Sequence, residues 1–408
     1  MIQTLRQRNF ALLWFAGLIS MIGDWVLIIA LPIYTYDLTN STLATGLMFI
    51  IGTVPRIAFG SLAGVFVDRW DRKKVMVASD FLRAMFILFL LLVRDPGLIW
   101  IIYCVAFLQS SLSMFFGPAE NALLPQLVDP SRLVSANALN SLNNNLARLA
   151  GPALGGLLYG ALGFSSSVIV NSLSFVLSGV MILLITSPGH PTSTESAAPL
   201  ESRGMWAEWK SGLRLIRSNP VVSGIFAISI VSAIGEGIFN IMFVIFIRTV
   251  LNGGAMEFGW LSSGQAVGGI IGGLLVGRIG RRVPPNQLTP LLAFNGILIL
   301  LLVHLPWLPL SLFFILLCGI PLIFVNVGVD TLLQKQVEGA FLGRVFGTLM
   351  TTMSLFILLG QGIATITGDQ IGPVILVSVK GLLDISGGLL ALWLLVKRNE
   401  SAALASAE

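Results

Sequence analysis

Ionisable side chains interrupt several long apolar stretches of the sequence, where their chemistry is proton binding or ion pairing. Asp24 lies about 13 residues into the first stretch, Glu236 about 15 residues into the seventh, and Arg56 about midway along the second. A charged residue at the centre of a spanning helix costs about 2.5–3.5 kcal/mol on insertion scales, so it usually faces a cavity or a partner. We predict that Asp24 and Glu236 line a cavity and that Arg56 is a partner for one of them. The same depth makes cavity candidates of Gln109, Asn240 and Asn326.

The two cavity carboxylates are also the candidates for carrying a proton. Both histidines, His190 and His304, fall outside the apolar stretches, so a transported proton would reside on a carboxylate. A static Asp24–Arg56 pair that holds the first two helices together is the alternative. For Glu236, no cation is evident at the same depth of a neighbouring stretch.

Two further charged pairs lie in apolar stretches, and we predict structural roles for both. Asp80 and Arg83 are one helical turn apart, so they can pair within their helix or reach Arg148. Lys380 and Asp384 have i, i+4 spacing and can neutralise each other.

The composition excludes a soluble globular protein. Of the 408 residues, 55% are hydrophobic and 11% charged, with a mean hydropathy of +0.90, whereas soluble domains contain about 25% charged residues. Cys104 and Cys318 lie alone in apolar runs, so neither a disulfide framework nor a zinc site is expected. The sequence therefore predicts an integral membrane protein.

Twelve apolar stretches are long enough to span a bilayer, which requires roughly 20 residues of helix. They fall at about 11–36, 43–67, 75–93, 98–120, 142–162, 165–186, 221–247, 257–278, 288–303, 307–328, 341–367 and 372–396. Backbone groups in lipid must hydrogen-bond within their own segment. We therefore expect an all-α integral membrane fold with twelve transmembrane helices.

Lysine and arginine are concentrated on one side of these stretches. The segments on the N-terminal side hold eighteen of them, and the opposite loops hold Arg94 and Arg248. Because cytoplasmic loops carry the excess of Lys and Arg, both termini are expected in the cytoplasm of a bacterial-type plasma membrane. The asymmetry also accounts for the net charge of +5 without a nucleic-acid partner.

A polar gap at 187–220 divides the chain into near-equal halves. Its second part, MWAEWKSGLRLIRSNP, has the spacing of an amphipathic helix, either lying in the inner headgroup layer or solvated at the surface. We predict an N-terminal six-helix bundle at 1–187, a cytoplasmic linker with an amphipathic helix at 188–220, and a C-terminal six-helix bundle at 221–408.

The two halves repeat each other in sequence. ISMIGDW (19–25) recurs as VSAIGEG (231–237) at an offset of 212, and the arginine-rich segments 64–73 and 273–282 are 209 residues apart. Such a nearly constant offset argues for a duplicated six-helix unit. Transporters built from parallel repeats bind substrate between the halves, near mid-membrane.

The segment GSLAGVFVDRWDRKKVM resembles the signature loop of the major facilitator superfamily, Gly-x-x-x-Asp-Arg-x-Gly-Arg-Arg/Lys. It lies after the second stretch and before the third, as in that family, and Asp71 replaces the usual glycine. The matching residues are Gly64, Asp68, Arg69, Arg72 and Lys73. The resemblance implies two pseudo-symmetric six-helix bundles and a cytoplasmic conformational gate, which Glu120 and Asp330 would join. The alternative is that the loop cations only anchor the topology.

The fifth stretch resembles the Gly-Pro-x-x-Gly-Gly motif of the superfamily's antiporters. Its residues are Arg148, Gly151, Pro152, Gly155 and Gly156. A purely passive packing role for the glycines is the alternative. The segments NFALLW, ALPIY and DRWDRKKVMVASDFLRA resemble the macrolide-efflux and enterobactin-exporter branch. The fourth stretch departs from the pattern of many drug/proton antiporters, because it lacks their arginine.

An enzyme is not expected, because the sequence contains no G-x-x-x-x-G-K-[ST], H-E-x-x-H or G-x-S-x-G motif. The resemblance implies a secondary active transporter that exports a hydrophobic or amphipathic small molecule, such as a drug, macrolide or siderophore-like compound. Proton antiport with alternating access would drive it, with no cofactor beyond the proton gradient, as a monomer in the lipid bilayer. The alternatives are lysophospholipid flipping or solute uptake on the same fold, and a non-transporting membrane receptor or assembly protein.

Overall fold

The polypeptide is mainly helical over the residues that the computed structural model describes, which are 2–59, 66–67, 69–186, 219–279, 288–337 and 339–405. The long helices of these residues are α1 (Arg8–Thr39), α2 (Thr42–Phe59), α3 (Arg72–Leu88), α4 (Ile99–Leu127), α5 (133–162), α6 (Phe164–Leu183), α7 (Pro220–Thr249), α8 (Ala255–Ile279), α9 (Leu288–His304), α10 (Leu308–Gln336), α11 (Gly339–Ile371) and α12 (Pro373–Ala405). Gly163, with φ 79°, separates α5 from α6.

Within the described residues, ten of these helices are long and apolar enough to cross a membrane. The other two are α9, whose apolar part Pro290–His304 is short, and the more polar α5. The predicted all-α fold with twelve helices is confirmed. Helices α4 and α5 extend beyond the predicted stretches, to Leu127 and from Leu133, because helical backbone bonding continues past the point where the side chains become polar.

The chain forms two compact units. Unit 1 contains α1–α6 together with Gly253–Ser263, which includes the first turns of α8. Unit 2 contains α7, the remainder of α8 and α9–α12. The predicted linker at 188–220 lies almost wholly outside the described residues, so the predicted domain boundaries stay a prediction.

The sequence repeat is also visible in the backbone. Among the described residues, positive φ angles occur at Asn40 (49°), Asn252 (50°), Gly163 (79°) and Gly372 (83°). Asn40 and Asn252 follow the first helix of each half and are 212 residues apart, whereas Gly163 and Gly372 precede the sixth helix of each half and are 209 apart. These offsets equal those of the two longest sequence repeats. Glycine tolerates the left-handed region, and asparagine is among the few other residues that do so readily.

Helix packing within the units brings backbones close together at glycine. In unit 1, a Cβ at Gly155 of α5 would lie 2.7 Å from the Cα of Val26 on α1. In unit 2, a Cβ at Gly360 of α11 would overlap the carbonyl oxygen of Ile234 on α7. The first helix of each half therefore crosses the fifth helix at backbone contact, as membrane helices do at small residues.

Two apolar clusters stabilise unit 1, one along each half of α1. The first contains Phe10 and Leu13, and the second contains Leu27 and Leu31. Residues 20–25 of α1 lie between them, and this is where the predicted acidic site falls.

Candidate functional site

The carboxylate of Asp24, between the two apolar clusters of α1, forms an ion pair with Arg83 of α3. Nη2 of Arg83 lies 2.7 Å from Oδ1 and 2.9 Å from Oδ2 of Asp24. The arginine side chain is 7% exposed, whereas the aspartate side chain is 34% exposed. The pair therefore has a buried cationic side and an accessible anionic side.

Two further residues fix the Arg83 guanidinium in position. Nε of Arg83 donates to Oε1 of Gln109 on α4 at 2.9 Å, and Nε2 of Gln109 donates back to the carbonyl oxygen of Arg83 at 2.8 Å. The guanidinium carbon lies 4.1 Å from the centre of the Phe175 ring on α6, a cation–π contact. Side chains from two helices, α4 and α6, thus orient the cation toward Asp24.

The second carboxyl near Arg83 is Asp80, which is fully buried. Its Oδ2 accepts a hydrogen bond from the hydroxyl of Ser178 at 2.6 Å, and its Oδ1 has no partner among the described residues. The predicted Asp80–Arg83 pair is wrong, as is a contact with Arg148, which is exposed. Arg83 points instead across the unit to α1, where it bonds both carboxylate oxygens of Asp24.

The prediction that Arg56 is a partner of Asp24 is wrong. Arg56 lies exposed in the last turn of α2, and Arg83 occupies the position that was expected for it. Of the other predicted cavity residues, Asn240 is half-buried on α7 and Asn326 is exposed on α10.

Unit 2 holds a corresponding site around Lys380 of α12. Nζ of Lys380 lies 2.7 and 2.8 Å from the two carboxylate oxygens of Asp384 and 4.0 Å from Oε2 of Glu236 on α7. Asn295 of α9 donates to Oδ2 of Asp384 at 2.8 Å. The predicted Lys380–Asp384 pair is confirmed. The expectation that Glu236 has no cation nearby is wrong, because Lys380 reaches it from the sixth helix of the same half.

Exposure differs sharply among the members of this second network. The side chains of Lys380 and Asp384 are 7% and 0% exposed, whereas that of Glu236 is 48% exposed. Each unit therefore presents one accessible carboxylate, on its first helix, against a buried cation.

The repeated glycine–acid dipeptide explains how both sites are built. A Cβ at Gly23 would overlap Ser174 of α6, and a Cβ at Gly235 would lie 2.6 Å from Cδ of Lys380 on α12. In both halves the glycine lets the sixth helix approach the first. The following acid, Asp24 or Glu236, is then next to the buried cation.

Sequence reasoning missed that the cations come from different helices in the two halves. Arg83 and Asn295 are 212 residues apart, as are Asp24 and Glu236. The third helix therefore supplies the cation in unit 1 and the asparagine of the network in unit 2, where the cation moves to the sixth helix. The shared offset is the signal that could have linked these four positions.

The predicted gate residues are only partly described. Gly64 and Asp68 lie outside the described residues, Arg69 and Asp330 are exposed, and Arg72 and Glu120 are half-buried. Nζ of Lys73 donates to the carbonyl oxygens of Leu183 and Ile185 at 2.9 and 2.7 Å. It therefore caps the C-terminus of α6 within unit 1, where a cation is favoured. The gate itself stays a prediction.

The glycine-rich motif of α5 contacts two helices within unit 1. Gly151 and Gly155 meet Trp25 and Val26 of α1. On another face, a Cβ at Gly156 would overlap the carbonyl oxygen of Ala255, at the start of α8. Near this crossing, the backbone N–H of Ala153 donates to Oγ of Ser263 at 3.0 Å, one residue after Pro152. The motif thus forms close backbone packing on two sides of α5.

Similar proteins are known for nearly the whole chain. A curated relative from Bacillus subtilis (strain 168), the uncharacterised MFS-type transporter YfiS, is 27% identical over 395 residues, which cover 95% of this chain and 93% of the relative. Macrolide efflux protein A of Streptococcus pyogenes is 26% identical over 377 residues, covering 89% of this chain and 90% of that protein.

Comparison with solved structures shows the same fold. The crystal structure of a bacterial homologue of the iron transporter ferroportin, in its inward-facing state, matches with a TM-score of 0.74 at 15% identity, covering 95% of this chain and 98% of that chain. The model of the Major Facilitator Superfamily matches residues 13–400. Together with the twelve-helix fold and the duplicated charged sites, this match shows that the chain belongs to the major facilitator superfamily.

Proposed function

We propose that this protein is a secondary active transporter that exports a hydrophobic or amphipathic small molecule, of the drug, macrolide or siderophore-like class, by proton antiport with alternating access. The observation that carries the proposal is the pair of accessible carboxylates, Asp24 and Glu236, each held against a buried cation in its own unit. An antiporter needs a carboxylate that exchanges protons with water, and an accessible acid within the membrane marks such a pathway.

The choice of substrate class is supported by the relative named for macrolide efflux and by the apolar character of the helices. The proton gradient supplies the energy in this proposal, so no further cofactor takes part, and a single chain in the bilayer carries out the cycle. Both termini face the cytoplasm of a bacterial-type plasma membrane, in keeping with the eighteen Lys and Arg residues on that side.

Transport by purified protein in liposomes tests the proposal. Vesicles of phosphatidylethanolamine and phosphatidylglycerol are loaded with a radiolabelled macrolide, and a pH gradient is imposed in either direction. We expect macrolide movement against its own gradient only when protons move the opposite way. Movement in the direction of the proton flow would indicate uptake by symport, and movement of labelled lysophospholipid alone would indicate lipid flipping.

Substrate identity is addressed by a susceptibility panel on a deletion strain. We expect the strain to become more sensitive to macrolides or other amphipathic drugs, or to accumulate a siderophore, and to recover with the wild-type gene. Unchanged sensitivity and unchanged siderophore release, together with inactive liposomes, would contradict export and favour a non-transporting membrane protein.

A further inference from the structure

Each unit places two carboxyl groups around one buried cation, which leaves one acid without a cation of its own. In unit 1 the acids are Asp24 and Asp80, and the cation is Arg83. In unit 2 the acids are Glu236 and Asp384, and the cation is Lys380. In unit 1 the accessible acid pairs with the cation, whereas in unit 2 the buried acid does so. This difference determines which accessible acid can be neutralised without leaving the cation unpaired.

In unit 1 the accessible acid is the one that holds the cation. Both oxygens of Asp24 lie within 2.9 Å of Nη2 of Arg83. A proton on Asp24 would leave the guanidinium buried beside a neutral acid. The other direct contacts of Arg83, Gln109 and Phe175, are uncharged and cannot replace the lost anion, and Asp80 bonds Ser178 rather than the guanidinium. A proton on Asp24 would therefore remove the counter-ion of Arg83.

In unit 2 the buried acid holds the cation instead. Asp384 bonds Lys380 through both oxygens at 2.7 and 2.8 Å and is itself held by Asn295. Glu236 lies at 4.0 Å, outside hydrogen-bond distance. When Glu236 takes up a proton, Lys380 keeps Asp384 as its counter-ion. The charges of Lys380 and Asp384 then cancel, and no buried charge is left unpaired. Protonated and ionised Glu236 are thus both compatible with a satisfied Lys380.

The other surroundings of Glu236 carry few titratable groups. Helix α11 approaches next to it, where Gly237 lies against Gly360 and Gln361, both uncharged. From α10, the buried thiol of Cys318 lies near Lys380. The charged group that approaches Glu236 from α12 is Lys380, which bonds Asp384 on the same helix.

We infer that Glu236 is the carboxyl that takes up and releases the transported proton, whereas Asp24 stays ionised as the fixed counter-ion of Arg83. This inference rests on the proposed function, since it names the proton carrier of the same antiport. In each cycle, Glu236 binds one proton from water on the outer side and releases it to water on the inner side. Substrate moves outward only while Glu236 is ionised, so that proton entry is coupled to export. Lys380 is a positioning residue, because its Nζ lies 4.0 Å from Glu236 without being hydrogen-bonded to it.

Infrared spectroscopy of the reconstituted full-length protein tests the proton carrier directly. Difference spectra recorded while pH is lowered report the C=O band of newly protonated carboxylic acids in phosphatidylethanolamine/phosphatidylglycerol liposomes. The other carboxyl groups of the chain also contribute to this band. We therefore expect one component of the band in the wild type and in Glu236→Asp that is missing in Glu236→Gln. The matched control is Asp95→Asn in the loop before α4, which removes a carboxyl but keeps the side-chain oxygen that accepts from Gly97 N–H.

Transport provides the second arm. In Glu236→Gln, accumulation of macrolide driven by a pH gradient is expected to be lost, and Glu236→Asp is expected to retain it. An infrared band in Glu236→Gln identical to that of the wild type, together with unchanged pH-driven accumulation, would overturn the assignment. A wild type that moves no macrolide would count against the proposed function, whereas the infrared arm would still decide whether Glu236 exchanges the proton.

Discussion

Asp24 and Arg83 are 59 positions apart in sequence, yet Nη2 of the arginine lies 2.7 Å from Oδ1 of the aspartate. This pair ties α1 to α3 inside unit 1, and Gln109 extends it to α4. Because Arg83 is almost fully buried, its charge depends on Asp24 for compensation. The stability of unit 1 therefore depends on this carboxylate.

Asp24→Asn is expected to destabilise the protein by about 2 kcal/mol. The loss falls below the 3–5 kcal/mol typical of breaking a fully buried pair, because about a third of the Asp24 side chain is exposed. Arg83→Gln should cost a similar amount, and the double variant should cost at least about 1 kcal/mol less than the sum. Unfolding of the purified protein in detergent measures all four members of the cycle. Strictly additive losses would contradict the pair.

Asp80 provides the matched control for that cycle, since it lies one turn from Arg83 on the same helix. Asparagine at position 80 can still accept the Ser178 hydroxyl that Asp80 accepts now. Asp80→Asn is therefore expected to cost less than about 1 kcal/mol and to add independently to Arg83→Gln. Strong coupling between Asp80 and Arg83 would show that the arginine has two counter-ions rather than one.

The helices could be predicted from sequence, whereas the partners of the charges could not. A spanning helix reveals itself by about 20 consecutive apolar residues, whatever its neighbours are. An ion pair between helices depends on which faces meet, and Arg56 and Arg83 both lie on helices that pack close to α1 or its neighbours. The depth of Arg56 in its apolar stretch made it a candidate partner of Asp24. The partner is Arg83, because the face of α3 that carries it is turned toward α1.

The second site shows the same limit in another form. The Lys380–Asp384 pair can be predicted from the i, i+4 spacing, because both partners lie on one helix. That Lys380 also approaches Glu236 depends on Gly235, where the missing side chain makes room for the lysine stem. A glycine next to an acid was visible in both repeats, but only the packing shows why the two occur together.

Removal of the lysine charge should be much more harmful than removal of the whole pair. Lys380→Met leaves the buried Asp384 carboxylate without a cation and is expected to cost about 3–5 kcal/mol. Adding Asp384→Asn removes the stranded charge and keeps an acceptor for Asn295. The double variant should recover most of the loss, as judged by unfolding in detergent. A double variant as unstable as Lys380→Met would show that the cost has another origin.

Two glycines of α5 distinguish the effect of close backbone packing from the general effect of glycine in a helix. Gly155→Ala places a Cβ 2.7 Å from the Cα of Val26, and backbone cannot move aside as a flexible side chain can. We expect a loss of about 1–3 kcal/mol from this overpacking. Gly160→Ala is the control on the same helix, because its Cβ would meet Met256 at an ordinary 3.5 Å. The control should be neutral or slightly stabilising, since alanine favours helix over glycine. Equal effects of the two variants in thermal unfolding would refute the close crossing.

The departure of the signature loop from its usual glycine has a local physical reason that can be tested. Asp71 is the N-cap of α3, and its Oδ1 accepts a hydrogen bond from the backbone N–H of Lys74 at 3.1 Å. Asp71→Ala should cost about 1 kcal/mol of local stability, whereas Asp71→Asn should retain it and Asp71→Gly, the family's usual residue, should lose only a few tenths. Hydrogen exchange of the first amides of α3 reports the difference.

The side-chain contact between Asp71 and Lys74 must be separated from the cap. Their charged groups are 4.0 Å apart and well exposed, so the ion pair is worth little. Lys74→Gln is therefore expected to leave amide exchange in the first turn of α3 within a factor of about two of the wild type, since a change below about 0.5 kcal/mol corresponds to no more than that. If Lys74→Gln accelerated exchange as much as Asp71→Ala, the carboxylate would act through its charge and not as a cap.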